Sequence, residues 1–299
     1  TLGRWVSSIH CAVDTLKEQS GVNRVCLLGL RLGCALATLA AISRLDVEHL
    51  IAIAPVVQGR LYVRELKAFA ASSPVAGPAP VQRFSGLEAG GFFLTDEAVD
   101  AVAAIDLRAL EKTPARQVLI IERDDIPSSQ QWVNTLVAVG AVATSEAWPG
   151  YRRMMQDPQI SEVPSEIFAG IINTLSGWAQ ALPVKAVSRK GADQLALPDV
   201  TMEGVGYAEK PVLLDTGESR IFGILSTAPH MQTGDHNPAD KQVACLLINT
   251  GSVHHIGPSR LWVQLARRWA AQGITVLRLD LSGLGDSPAR PQAQENVVY

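Results

Sequence analysis

The chain has 299 residues, 47% of them hydrophobic and 18% charged, with a formal net charge of −3. That composition suits a globular protein with one large α/β domain or two smaller ones. It leaves no basic footprint for nucleic acid, since no Lys/Arg run is longer than a pair such as Arg267-Arg268.

Trp5 to Gln19 carries Trp5, Ile9, Ala12, Val13 and Leu16 at helical spacing and predicts an amphipathic helix. Arg24-Val25-Cys26-Leu27-Leu28 predicts a short buried strand, and Cys34 to Ala41, rich in Ala and Leu, predicts a helix. Between them stands Gly29-Leu30-Arg31-Leu32-Gly33. This is the frame of a nucleophile elbow, G-x-S-x-G, in its strand–turn–helix context, with Arg31 at the position of the attacking serine. Val25 to Ile42 has the length of a membrane span, but a central arginine makes insertion costly, so no span is expected. His49 to Pro55 predicts a second buried strand, parallel to the first.

From 56 to 112 the character changes to charged helix, a Ser/Pro/Gly/Ala loop and a further helix over Asp96 to Ala104, which predicts a helical lid inserted between core strands. Core strands resume at Gln117 to Ile121 and around Ala141 to Trp148, with the helix Ser129 to Val137 between them, and Glu166 to Ala181 predicts a closing helix. Residues 183–198 read as a linker. Beyond it, Lys210 to Leu214 and Arg220 to Leu225 predict a β-hairpin. The strand Val243 to Asn249, the helix Leu261 to Gln272 and the strand Thr275 to Asp280 follow, and Asp280 to Ser287 forms a glycine-containing turn. The four cysteines, Cys11, Cys26, Cys34 and Cys245, show no C-x-x-C spacing and read as reduced thiols of a cytoplasmic protein. No signal peptide opens the chain, and a start at Thr1 reads as an excised segment.

These pieces resemble the α/β-hydrolase superfamily, and within it the serine aminopeptidase-like hydrolases encoded with exosortase and exopolysaccharide systems. Asn249 to Pro258, with Gly251, Ser252, His254 and His255, looks like the loop that supplies an oxyanion-hole amide; Leu32, after the elbow position, looks like the source of the other. Asp280 to Ser287 is similar to the D-x-x-G-x-G-x-S turn, and Pro55 to Arg60 and Trp148 to Tyr151 resemble segments of the exosortase-associated group. The resemblance implies an α/β fold with a mainly parallel sheet flanked by helices. Its parts stand in reversed order: residues 1–182 match the C-terminal half of such a domain, with the lid at about 56–112, and 199–299 match the N-terminal half. A segment cut across two tandem hydrolase domains and a circular permutant both produce that order, and a permutant or a one-repeat excision predicts that the halves share one sheet.

A serine hydrolase needs a nucleophile, a histidine base and an acid that orients it. The resemblance puts the acid in Glu122-Arg123-Asp124-Asp125, with Asp125 the first choice and Asp124 the second; a solvated acidic turn is the other reading of the same residues. It puts Gln159 where related sequences carry the histidine. With serine and histidine both missing, ester hydrolysis through this elbow is expected to be weak. His254 and His255 are the candidates for a substitute base, against a surface residue beside a backbone-bonded one. An arginine at a helix N-terminus calls for an anion, either Asp125 or Asp124 or a carboxylate or phosphate ligand. Two functions follow: a hydrolase or acyltransferase by resemblance, and a catalytically degenerate fold that binds an acyl or anionic small molecule as an accessory to exopolysaccharide or envelope synthesis. Neither requires a cofactor or a metal.

Overall fold

Parallel pairing dominates the first part of the chain because helices return the backbone to the same end of the sheet after each strand. The computed structural model describes residues 2–72, 85–89, 92–125, 129–156, 160–180, 200–217, 219–229, 244–248 and 253–293. The chain divides into two compact units, Thr1–Ser188 and Arg189–Tyr299.

In the first unit α1 (Leu2–Ser20) precedes β1 (Val25–Leu30), α2 (Leu32–Ala41) and β2 (Val47–Ile53). Then come α3 (Gly59–Ser72), the pair β3 (Gly86–Ala89) and β4 (Phe92–Thr95), and α4 (Asp96–Ala103). β5 (Gln117–Ile121), α5 (Gln130–Ala138), β6 (Val142–Glu146), α6 (Tyr151–Met154) and α7 (Ser165–Gln180) complete the unit. Four strands form one sheet in the order β1-β2-β5-β6, parallel throughout. Apolar residues on alternate faces of β2 and β5 enter two different cores. Leu50, Ala52, Val118 and Ile120 pack with Val13, Cys34, Trp132 and Leu136 from α1, α2 and α5, while Ile51, Ile53, Leu119 and Ile121 pack with Ile167 and Ile171 from α7. Burial on both faces is why these strands read as unbroken apolar runs.

The insertion between β2 and β5 is not purely helical. Its described residues comprise α3, α4 and the antiparallel pair β3–β4, with a small core of Val63, Val99 and Val102 that reaches Trp5 and Leu32. α4 starts where the Thr95 hydroxyl accepts the Ala98 amide and Asp96 and Glu97 complement the helix dipole.

The second unit contains β7 (Met202–Gly204), β8 (Tyr207–Asp215), β9 (Arg220–Thr227), β10 (Ala244–Leu247), α8 (Leu261–Ala270) and β11 (Thr275–Leu279). Its sheet runs β10-β11-β9-β8-β7, and only β10 and β11 are parallel. The expectation of a mainly parallel sheet therefore holds for the first unit and fails for the second. A four-residue connection from Asp215 to Arg220, with Gly217 at φ 83°, folds β8 directly back onto β9, and direct reversal gives antiparallel pairing. The described strands are hydrogen bonded in three sheets, counting the β3–β4 pair, and each sheet draws its strands from one unit alone. Among the described residues no helix is long and apolar enough to cross a membrane.

Candidate functional site

The turn between β1 and α2 has the backbone of an elbow. Arg31 adopts φ 52° and ψ −120°, a conformation costing roughly 1–3 kcal/mol in a side-chain-bearing residue and maintained only by its surroundings. Its amide donates to Ile53 O at 3.0 Å and its carbonyl accepts Cys34 N at 3.0 Å. Gly29 is required here: a Cβ at that position would meet Cys34 N and the Gly33 carbonyl at 2.5 Å. Leu32 begins α2 and packs into the cores on either side of it; the first amides of a helix have no acceptor within it. The Cys34 thiol lies beneath the turn, fully buried, and bonds to Gly29 O at 2.9 Å and Ile53 O at 3.2 Å. Burial pushes this thiol up to about 12, which suits a packing group and not a nucleophile.

Arg31 does not pair with Asp125 or Asp124, contrary to the sequence-based expectation. Its guanidinium holds Glu65 Oε2 on α3 and lies 5.4 Å from the centroid of the Tyr62 ring. Asp125 is engaged by its neighbour Arg123, through Nε at 2.7 Å and Nη2 at 2.6 Å, a bidentate bond between residues two apart that the loop forms locally. The other oxygen of Glu65 lies 3.2 Å from Arg123 Nη1. The result is a row of alternating charge, Arg31, Glu65, Arg123, Asp125, at the carboxyl ends of β1 and β5, where open parallel sheets place their ligand sites. Arg123 stands over the ring of Tyr151 at 5.5 Å, and the hydrogen bonds it donates to Asp125 raise its affinity for its proton further. Burial also raises both phenols, Tyr62 and Tyr151, so they stay neutral beneath the guanidinium groups.

Two clefts meet at this row. One of about 390 Å³ is lined by the basic Arg31 and Arg64 and by the apolar Pro55, Val56, Val57 and Leu61. The other, of about 690 Å³, is lined by Asp124, Asp125, Tyr151, Arg152 and Arg153. Glu65 and Arg123 belong to both. Asp124 is exposed and faces the larger cleft.

In the second unit the D-x-x-G-x-G-x-S turn folds around its first residue. Asp280, fully buried, accepts the His255 amide at 2.6 Å, His255 Nδ1 at 2.7 Å and the Asp286 amide at 3.0 Å. Gly285 closes over it at φ 58°, where a Cβ would stand 2.4 Å from Oδ2. Ser287 ties the far end, donating to Asp280 O at 2.6 Å and accepting Phe222 N at 2.8 Å. His255 is thus a buried side chain whose Nδ1 and backbone amide both fix the turn through Asp280. His254 is exposed. Ligating atoms of His254, Asp280 and Asp286 lie within 4.8 Å of one another, but the lone pairs of Asp280 already serve the turn. Gly251, Ser252 and Gln159 lie outside the described residues.

Glu65, Arg123, Tyr62 and Tyr151 escaped the sequence reading. Glu65 stands in Arg64-Glu65-Leu66-Lys67, the alternating pattern of a solvated helix face, and Arg123 lies inside the segment read for its acids. The spacing of Tyr62 and Glu65, three apart on one helix, was the available signal. Glu122 is also buried, accepting the hydroxyls of Ser129 at 3.0 Å and Ser145 at 3.1 Å, and it anchors the end of β5 to α5 and β6. A scan against models of known protein families and a search of curated proteins find no match to the chain.

Proposed function

We propose that the first unit is an α/β-hydrolase-like fold whose elbow binds an anion in place of attacking an ester. The observation that carries the reading is the placement of Arg31: it occupies the strained turn between strand and helix and, paired with Glu65, lines a cleft that Pro55, Val56, Val57 and Leu61 also line. A guanidinium is always protonated and cannot act as a nucleophile, but it forms short, directional bonds to carboxylates and phosphates. The ligand that suits this mixed basic and apolar lining is a small molecule with an oxyanion head and an acyl tail. The resemblance to hydrolases of exopolysaccharide systems suggests an accessory role in envelope or polysaccharide synthesis, with the protein in the cytoplasm.

Calorimetric titration with sodium octanoate tests the reading. Saturable binding to the wild-type protein, lost in Arg31→Met, is the expected result, together with no labelling of Ser or Cys by a fluorophosphonate probe. Labelling at any serine, or octanoate binding that ignores Arg31→Met, would reject it.

The kept elbow backbone favours a second reading, in which a neighbouring repeat of a longer chain carries a complete catalytic set and this copy is its degenerate partner. Intact G-x-S-x-G and histidine segments elsewhere in the full-length gene would support it.

A further inference from the structure

Glu65 is held differently from the two arginines it bridges. The side chain of Arg31 is 15% exposed and that of Arg123 is 17% exposed, while Glu65 is 49% exposed. Arg123 is fixed independently by its bidentate bond to Asp125 and by Tyr151, and Arg31 by the elbow backbone and Tyr62. The start of α3 is equally fixed: Gly59 N donates to Ile105 O at 2.8 Å, and a Cβ on Gly59 would meet Val102 O at 1.7 Å. The mobile member of the row is therefore the glutamate side chain, which can turn into water by rotation about its own bonds, with the helix in place. An exposed pair of this kind is weak, so its release costs little.

We infer that Glu65 is a built-in stand-in for the ligand: its carboxylate on an aliphatic stem occupies the seat between Arg31 and Arg123 that an alkyl carboxylate takes when bound. The inference rests on the anion-binding reading above and deepens it in two respects. It names the head group as a carboxylate, since the site is already organised around one. It also makes binding a competition, in which the incoming carboxylate displaces Glu65 while the alkyl chain lies on Val56, Val57 and Leu61. No covalent step is involved. Removing the internal competitor should strengthen binding by the fraction of time it blocks the seat, because apparent affinity scales with the population of the competent state.

The test compares sodium octanoate, octyl phosphate and neutral octanamide on wild type, Glu65→Gln, Glu65→Ala and Glu65→Gln with Arg123→Met, by calorimetry at fixed ionic strength on proteins whose melting curves remain cooperative. The expected result is octanoate binding about tenfold tighter in both Glu65 variants than in wild type, lost again in the double variant, with octanamide bound weakly throughout. If wild type binds octanoate and neither Glu65 variant binds it tighter, the stand-in is overturned and the anion-binding reading survives. If octyl phosphate gains and octanoate does not, the carboxylate assignment is overturned. If no variant binds any of the anions, the stand-in falls together with the reading on which it rests.

Discussion

Nδ1 of His255 lies 2.7 Å from Oδ2 of Asp280, and the backbone amide of the same histidine holds the other oxygen at 2.6 Å. One carboxylate thus fixes both the ring and the chain of a residue that the sequence offered as a base. Asp280→Asn removes the charge and leaves two buried donors poorly satisfied, and is expected to destabilise the second unit by about 2–3 kcal/mol. His254→Ala, at an exposed position, should stay within about 0.5 kcal/mol of wild type. Urea melts followed by tryptophan fluorescence would check both values, and equal costs would mean that the turn is held by something other than Asp280.

The two glycines of the elbow make opposite demands. A methyl group on Gly29 collides with backbone at 2.5 Å, whereas one on Gly33 meets nothing within 4 Å. Gly29→Ala is expected to cost about 1–3 kcal/mol through forced backbone movement. Gly33→Ala, inside α2, should gain about 0.5–1 kcal/mol from helix propensity. Thermal melts of the two single variants provide the comparison.

How far the sequence foretold this arrangement differs between its layers. The elbow was legible because Gly29 and Gly33 flank a strand-to-helix switch, and glycine spacing reports backbone geometry directly. The strand runs of β1, β2 and β5 were legible because a parallel sheet buries both faces and so spells itself in unbroken apolar residues. What could not be read was the partner of each charge. Arg31 and Glu65 are 34 residues apart, and their meeting depends on where α3 settles after β2. A local competitor, Arg123, took Asp125 before any long-range partner could. The antiparallel character of the second sheet was implicit in the hairpin from Lys210 to Leu225, but the parallel expectation carried over from the resemblance outweighed it.

His49 should make stability fall in mild acid. Its ring is buried, stacked on Trp178 at 4.5 Å, and neither nitrogen has a hydrogen-bond partner. Burial lowers its affinity for a proton, Arg116 and Arg24 act in the same direction, and Glu48 opposes them. The folded chain therefore binds fewer protons at this site than the unfolded chain. Stability from the neutral ring is complete above the unfolded value of about 6.5 and is lost progressively as pH falls below it, towards the lower folded value. Chemical denaturation from pH 7.5 to 5.5 should show that slope in wild type and a smaller one in His49→Phe; identical slopes would assign it elsewhere.

Thiol reactivity should separate the cysteines. Cys34, fully buried with a thiol raised to about 12, is expected to resist iodoacetamide in the folded protein at pH 8, while exposed Cys11 is modified. Peptide mass spectrometry before and after denaturation would read the difference.

The edges of the two sheets predict self-association. β1 and β10 each have one hydrogen-bonded neighbour among the described strands, yet Leu28 is 52% exposed on one and Leu246 is 52% exposed on the other. Apolar edge strands are templates for pairing, and natural edges are commonly blunted by charge. Sedimentation velocity should show association rising with concentration, and Leu28→Lys or Leu246→Lys should each reduce it. A monomer at every concentration would mean that these edges are already covered.

The arrangement of those edges has a consequence in polymer chemistry. Of the edge strands of the two larger sheets, β1 and β6 in one and β10 and β7 in the other, the apolar edges β1 and β10 are unlike, so a chain that couples through both is a bifunctional monomer. If unlike ends couple, the contact is head to tail, and such contacts either close into rings or extend without limit. Dilution then favours closure and crowding favours growth, so the size of the assembly is set by how much protein is present as well as by its sequence.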